Sequence, residues 1–263
     1  MTVSAIDPLL ISRYRRRHPE TGPIPPAALR ARSGSLEIDS FATSGAHYVE
    51  VLQDLLEPTG RTVADFRHVL DLACGCGRIL VPLWRRFGDR TAVHGCDIDR
   101  GAIEWLRRNH AGIDVEVNHS DPPLPYGEAS FDLVYSISLF THLSEPAQDA
   151  WLREVRRVLA PGGVALLTIH GERALRGFVD GETVGAIRGA RERLAARSLA
   201  EAGFVYEAAE PSRWNALRFI GTTGAWGLAF HTDEYVRERW GRVFPDLDVR
   251  RSPLPQDVVV VRG

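Results

Sequence analysis

Apolar and polar positions change their period several times along this chain, and the changes mark out its elements. Val69-Leu70-Asp71-Leu72-Ala73 is a short apolar run holding one acid, the pattern of a buried strand in a parallel sheet. Gly75 and Gly77 follow at once, and a helical pattern then runs from about Arg78 to Phe87 and stops near Gly88. Residues 92–97 read as a second strand, 100–110 as a helix, 113–117 as a third strand and 131–136 as a fourth. Residues 145–159 carry apolar Trp151, Leu152, Val155, Val158 and Leu159 at helical spacing. Pro161-Gly162-Gly163 ends that helix, and 164–169 form a fifth strand. Strands alternating with helices predict an α/β fold with a doubly wound, Rossmann-like parallel sheet.

The flanks lose this rhythm. Residues 1–37 are polar and broken: a short helix ends at Tyr14-Arg15-Arg16-Arg17, Pro23, Pro25 and Pro26 force an extended segment, and 27–32 make another helical turn. Residues 38–57 place Phe41, Ala42, Val49, Leu52, Leu55 and Leu56 along an amphipathic helix that ends before Pro58. Residues 1–60 are therefore expected to be an N-terminal helical cap ahead of a core at 61–170. After His170 come a helical stretch near 187–202, the run Phe204-Val205-Tyr206-Glu207 and a glycine-rich segment at 221–230. At about 60 residues this piece is longer than a normal crossover, so 171–231 is expected to be an inserted cap over the site. A helix at 232–241 and strands near 247–251 and 257–261 resume the alternation, so 232–263 completes the core sheet.

Composition narrows the chemistry. Apolar residues make up 44% and charged residues 25% of 263, which describes an ordinary folded chain. A formal net charge of −2 gives no case for a nucleic-acid or anionic-membrane partner. All 32 basic residues are arginine, which excludes a Schiff-base lysine and a phosphate-loop lysine. The three cysteines, Cys74, Cys76 and Cys96, lack zinc-ligand spacing and read as small buried thiols, so no metal is expected. Residues 6–11 are too short for a leader and contain Asp7 and Pro8. No apolar run approaches the roughly 20 residues of a membrane span. A soluble, cytoplasmic protein with a small-molecule substrate is the expectation, and its oligomeric state is open.

Strand, glycine turn and helix N-terminus together make a cradle in which a ligand can approach the backbone. A dinucleotide fingerprint requires a third glycine where this chain has Leu80, and a pyrophosphate would be repelled by Asp71. A cofactor carrying an ammonium and a sulfonium would not be. The pattern Asp71-x-x-Cys74-Gly75-x-Gly77 resembles motif I of the class I S-adenosylmethionine-dependent methyltransferases. Three later blocks share that likeness: Asp97-Ile98-Asp99, the segment PPLPYGEASFDLVYSISLFTHLS and the segment WLREVRRVLAPGGVALLTIHGE. The likeness covers about residues 68–172. It implies a seven-stranded sheet with its last strand, near 257–261, antiparallel, and S-adenosylmethionine as cofactor with S-adenosylhomocysteine as product.

The resemblance also implies roles. Asp71, Ala73, Cys74, Gly75, Gly77 and Arg78 should surround the methionine part of the cofactor. Asp97, about 20 residues past the glycine turn, should accept from the ribose hydroxyls, and Ile98 should pack on the adenine. Relatives often place an aspartate just before the Leu-Pro-aromatic block. Here the adenine contact lies among Asn118, His119, Ser120 and Asp121, with Ser120 at the matching spacing and Asn118 able to accept through its side chain. Ser136, Ser138 and Phe140 should face the methionine chain or the sulfonium, and Tyr14 or Arg30 from the cap should close over the cofactor carboxylate.

Methyl transfer needs alignment and exclusion of water, and needs a base only when the nucleophile is protonated. His142, His170 and His231 are the candidate bases, beside the reading that each is structural. Trp214, Phe219, Trp226 and Phe230 are the candidate substrate wall, beside the reading that they form the cap's own core. The function expected is methyl transfer to an O, N or C nucleophile of a small molecule in specialised metabolism. Alternatives are another reaction of the same cofactor (cyclisation or aminocarboxypropyl transfer), a non-catalytic binding protein, and a nicotinamide dehydrogenase, the last disfavoured by Leu80 and Asp71.

Overall fold

A computed structural model describes residues 3–181, 190–195, 198–208 and 227–263. Five parallel strands form the frame: β1 (His68–Leu72), β2 (Ala92–Asp97), β3 (Asp114–Val117), β4 (Phe131–Ser136) and β5 (Leu159–Ile169). Two further strands complete it, β8 (Leu247–Arg250) and β9 (Asp257–Arg262), in the order β3-β2-β1-β4-β5-β9-β8. β9 runs antiparallel to both of its neighbours. The seven-stranded mixed sheet with an antiparallel final strand is the architecture expected.

Period-2 alternation divides the strands between two apolar layers. Val69, Leu133, Tyr135, Val258 and Val260 face one layer. Leu70, Leu72, Val134, Val259 and Val261 face the other. The first layer is closed by α3 (Ile38–Leu56), α4 (Leu80–Phe87) and α5 (Arg100–Asn109) through Leu52, Leu56, Leu80, Leu83, Ile103 and Leu106. The second is closed by α6 (Glu145–Val158) through Leu152 and Val155, and by α10 (Asp233–Arg239) and the turn after it through Val236 and Trp240. Burying both faces in this way is what a parallel sheet requires.

Before α3, the chain forms α1 (Val3–Arg17) and α2 (Ala27–Arg32), joined by the proline-rich extended segment. α1 is longer than the short helix expected and runs through Pro8. After β5 come α7 (Glu172–Val179), α8 (Ala190–Ala195) and α9 (Leu199–Ala202). β6 (Phe204–Ala208) and β7 (Gly227–His231) then form a separate antiparallel pair. Phe178, Leu194, Leu199, Val205, Leu228 and Phe230 make its small apolar core. β7 is also stitched to the main sheet: the N–H groups of Gly227, Ala229 and His231 donate to the carbonyls of His142, Thr141 and His170 at 2.8–2.9 Å. Among the described residues, no helix is long and apolar enough to cross a membrane.

Candidate functional site

The C-terminal ends of β1, β2 and β4 open onto a cavity of about 400 Å³. In an open parallel sheet this edge is where ligands bind. Its floor is the turn after β1. The N–H groups of Ala73 and Cys74 both donate to the Cys96 carbonyl, at 2.9 and 3.0 Å, which locks the turn to the end of β2. The backbone is left-handed at Ala73 (φ 69°), Gly75 (φ 55°) and Gly77 (φ 84°). A Cβ on Gly75 would lie 2.6 Å from Ser33 Oγ, and one on Gly77 would lie 2.6 Å from Leu106 Cδ2. Gly75 therefore admits the cap, and Gly77 admits α5.

Asp97, at the tip of β2, is held by two backbone bonds. Gly75 N–H donates to its Oδ2 and Asp99 N–H to its Oδ1, each at 2.7 Å. Each oxygen keeps a further lone pair, enough for a vicinal diol. Burial raises its pKa above the ordinary carboxylate value, and the two backbone bonds oppose that rise. Asp71 is buried more deeply, and its register partner on β4 is Tyr135. The Tyr135 hydroxyl donates to Asp71 Oδ2 at 2.9 Å. Burial still dominates and lifts the Asp71 pKa to about 7, helped by the nearby Asp97 charge. Asn118 donates Nδ2–H to the His119 carbonyl at 2.7 Å, which leaves its Oδ1 buried without a partner among the described residues. Ile98, Ser120 and Asp121 line the same wall.

The donor set fits S-adenosylmethionine. Asn118 Oδ1 is an orphaned acceptor suited to an exocyclic amine, Asp97 suits a ribose, and Asp71 suits a cation in a site that a pyrophosphate would avoid. Arg78 reaches the wall with its guanidinium carbon 4.7 Å from the Tyr48 ring centre. Burial pushes the thiols of Cys74, Cys76 and Cys96 up, Cys76 to about 11, so none is a thiolate nucleophile near neutral pH.

The cap supplies a wall that sequence reasoning placed two residues away. Arg30 is buried and bonds Asp7, the Pro25 carbonyl and the Leu36 carbonyl at 2.6–3.0 Å, so its guanidinium fastens α2 to α1. Tyr14 points its hydroxyl toward Asp39 at 3.4 Å, in a separate crevice. Neither lines the cavity. Arg32 and Ser33 do: Arg32 Nε–H donates to Asp99 Oδ2 at 2.6 Å, and Ser33 Oγ accepts from Cys76 N–H at 3.3 Å. Only the Ser-Gly turn after the α2 helical pattern hints at them in the sequence.

Other candidates separate in the same way. Ser138 lines the cavity, whereas Ser136 is fully buried and donates to the Leu72 carbonyl at 2.8 Å. Phe140 is fully buried against Trp240, with ring centres 5.0 Å apart, so it belongs to the core and not to the site. Gly77 likewise packs helices and does not line the cavity. Phe230 is buried in the core of the cap and stacks on His170 at 5.2 Å, away from the cavity wall. Trp214, Phe219 and Trp226 lie outside the described residues.

Of the three histidines, His142 alone lines the cavity. Its Nδ1–H donates to the Gly227 carbonyl at 2.8 Å, which makes Nε2 the acceptor of the neutral ring. His231 is fully buried and bonds Gln148 Oε1 at 3.0 Å. Gln148 uses its amide N–H groups on the Phe140 and Leu143 carbonyls, so His231 Nε2 is the donor. Burial lowers the pKa of His142 to about 4 and those of His170 and His231 to about 3. All three are neutral at pH 7, and none is a strong base.

Comparison with known proteins agrees with this geometry. A family model described as a methyltransferase domain matches residues 69–163. Methyltransferase GfsG of Streptomyces halstedii is 31% identical over 168 residues, covering 62% of this chain and 56% of its own length. A fatty-acid O-methyltransferase of Mycolicibacterium smegmatis is 36% identical over 103 residues, 39% of this chain and 36% of the relative. The chain thus spans about half the length, or less, of the curated relatives it matches. The crystal structure of the PH0226 protein from Pyrococcus horikoshii superposes with a TM-score of 0.53 at 20% identity, covering 82% of this chain and 89% of that one. At that identity the likeness is one of fold. Motif order, sheet topology and the matched segment agree: residues 69–163 are similar to a methyltransferase domain, and the seven-stranded sheet has the Rossmann-like methyltransferase fold.

Proposed function

We propose that the protein is an S-adenosylmethionine-dependent methyltransferase that acts in the cytoplasm on an O, N or C nucleophile of a small molecule in specialised metabolism. The observation that carries this reading is the set of open acceptors around one cavity: both Asp97 oxygens, the orphaned Asn118 Oδ1 and buried Asp71. When bound, S-adenosylmethionine supplies a methyl group already activated by a sulfonium.

The chain's own residues then have three tasks. Asp97, Ile98 and Asn118 hold and orient the nucleoside end. Asp71 and the turn at 73–75 receive the amino-acid end. Ala31 to Gly34, fastened by the Arg32–Asp99 ion pair, cover the turn and exclude water. His142 lines the same cavity, its ring fixed by the Gly227 carbonyl. Relatives named as O-methyltransferases of a fatty acid and of malonyl-[acyl-carrier protein] support an oxygen acceptor. Three free, buried cysteines support a reducing compartment.

The test is incubation with methyl-labelled S-adenosylmethionine and a panel of hydroxyl, amine and carboxylate acceptors. Label is expected in an extracted product, with S-adenosylhomocysteine formed in equal amount. Label retained in methylthioadenosine would show that a different group is transferred.

A further inference from the structure

Ser138 stands at the tip of β4 with a left-handed backbone (φ 68°), a conformation that strains a residue with a Cβ. Two side chains from distant elements hold it there. Its N–H donates to Thr168 Oγ1 on β5 at 2.7 Å. Its Oγ accepts from Nε2–H of Gln256, the residue just before β9, also at 2.7 Å. A hydroxyl has one proton and two acceptor lone pairs. Gln256 fills a lone pair and no described residue accepts the proton, so Ser138 offers its O–H to the cavity it lines. The main chain at Gln256 is itself fixed: Ser252 Oγ donates to its backbone carbonyl at 2.7 Å, and Arg173 holds the same loop through the Leu254 carbonyl at 2.8 Å.

Sheet order says which end of the cavity this donor serves. The ribose acid is at the tip of β2, the glycine turn at β1, Ser138 at β4, Thr168 on β5 and Gln256 just before β9. A cofactor lying across β2 and β1 leaves Ser138 and His142 beyond its amino-acid end. We propose that Gln256 is a positioning residue that aims the Ser138 hydroxyl at a carboxylate of the methyl acceptor, and that the carboxylate oxygen is the nucleophile. This rests on the methyltransferase reading above. A carboxylate is already ionised at neutral pH and needs to be oriented, not deprotonated, which suits a wall whose histidine is a weak base. In the step, a carboxylate oxygen forms a bond to the methyl carbon, the carbon–sulfur bond breaks, and sulfur keeps the electron pair. The products are a neutral ester and a thioether, with no proton released.

Hexanoate titrated into protein saturated with S-adenosylhomocysteine is the probe. Wild type is expected to bind it. Gln256→Leu frees the hydroxyl, and Gln256→Glu accepts its proton away from the cavity. Each is expected to weaken hexanoate about tenfold while S-adenosylhomocysteine affinity stays within about twofold. Ser138→Gly is expected to lose hexanoate with no fall in Tm, because glycine relieves the left-handed strain. Hexanoate bound equally by wild type and the Gln256 variants, or not bound by wild type, would overturn the proposal. So would a Gln256→Leu variant that weakens S-adenosylhomocysteine as much as hexanoate. Failure of wild type to bind S-adenosylhomocysteine at all would instead refute the underlying methyltransferase reading.

Discussion

The rim of the cavity around Asp71, Asp97 and Asn118 and the seam where β7 passes Thr141 and His170 are both rich in shielded polar groups. They use them in opposite ways. At the rim, backbone bonds fix each side chain but leave a lone pair open toward the cavity, as with Asp97 and Asn118 Oδ1. At the seam, backbone and side-chain bonds run between elements, and the leftover atoms, His170 Nδ1, His231 Nδ1 and Thr141 Oγ1, are sealed inside without a partner among the described residues. Shielded polar groups beside an opening recognise a ligand, whereas similar groups without one join strands and set histidine pKa values far below neutral.

Substitutions at the two places should therefore separate binding from stability. Asp97→Ala is expected to weaken S-adenosylhomocysteine by about 1.5–3 kcal/mol, the scale of hydrogen bonds made by a charged group, in calorimetry on the folded variant. An unchanged dissociation constant would remove Asp97 from the ribose role. His231→Leu takes the donor from Gln148 Oε1 and is expected to cost about 1–2 kcal/mol of stability in urea unfolding while leaving that dissociation constant alone. A variant of normal stability that no longer binds would invert the comparison.

Asp71 gives a pH signature. Its folded pKa of about 7 lies above the ordinary aspartate value, so the folded state holds a proton that the unfolded chain releases. This contribution is fully present below about pH 4, declines as pH rises toward 7 and is absent above it. Asp71→Asn, which keeps an acceptor for the Tyr135 hydroxyl, should match wild type in Tm near pH 4 and exceed it at pH 8. Cofactor binding should run the other way. A ligand ammonium favours the ionised carboxylate, so wild-type affinity should rise with pH and level off above 7. A flat profile in both measurements would place Asp71 outside the site's electrostatics. The smallest effect expected is at Ala73: Ala73→Gly relieves a left-handed alanine and should add about 1 kcal/mol of stability, read as a modest rise in Tm.

The same contrast explains how much was legible in the sequence. Strand, turn and helix after His68 are local, so Asp71, Cys74, Gly75, Asp97 and Ile98 could be placed on the cavity from spacing and resemblance alone, and the resemblance implied the seven strands with the last one antiparallel. Arg30 and Phe140 were misplaced because their positions depend on packing between elements: Asp7 claims the arginine, and Trp240 claims the phenylalanine. Arg32, Ser33 and Gln256 carry no periodic or motif signal. They reach the cavity or its wall only because α2 folds over the glycine turn and β9 inserts beside β5. Pairing of β6 with β7 was equally hidden, since it depends on contacts made across the cap.

Calorimetric titration of the wild-type protein with S-adenosylhomocysteine and, separately, with NAD tests the central claim most directly. One molecule of S-adenosylhomocysteine per chain, with binding that is tighter at pH 8 than at pH 6, and no heat with NAD, is the expected result. Saturable NAD binding without S-adenosylhomocysteine binding would contradict it.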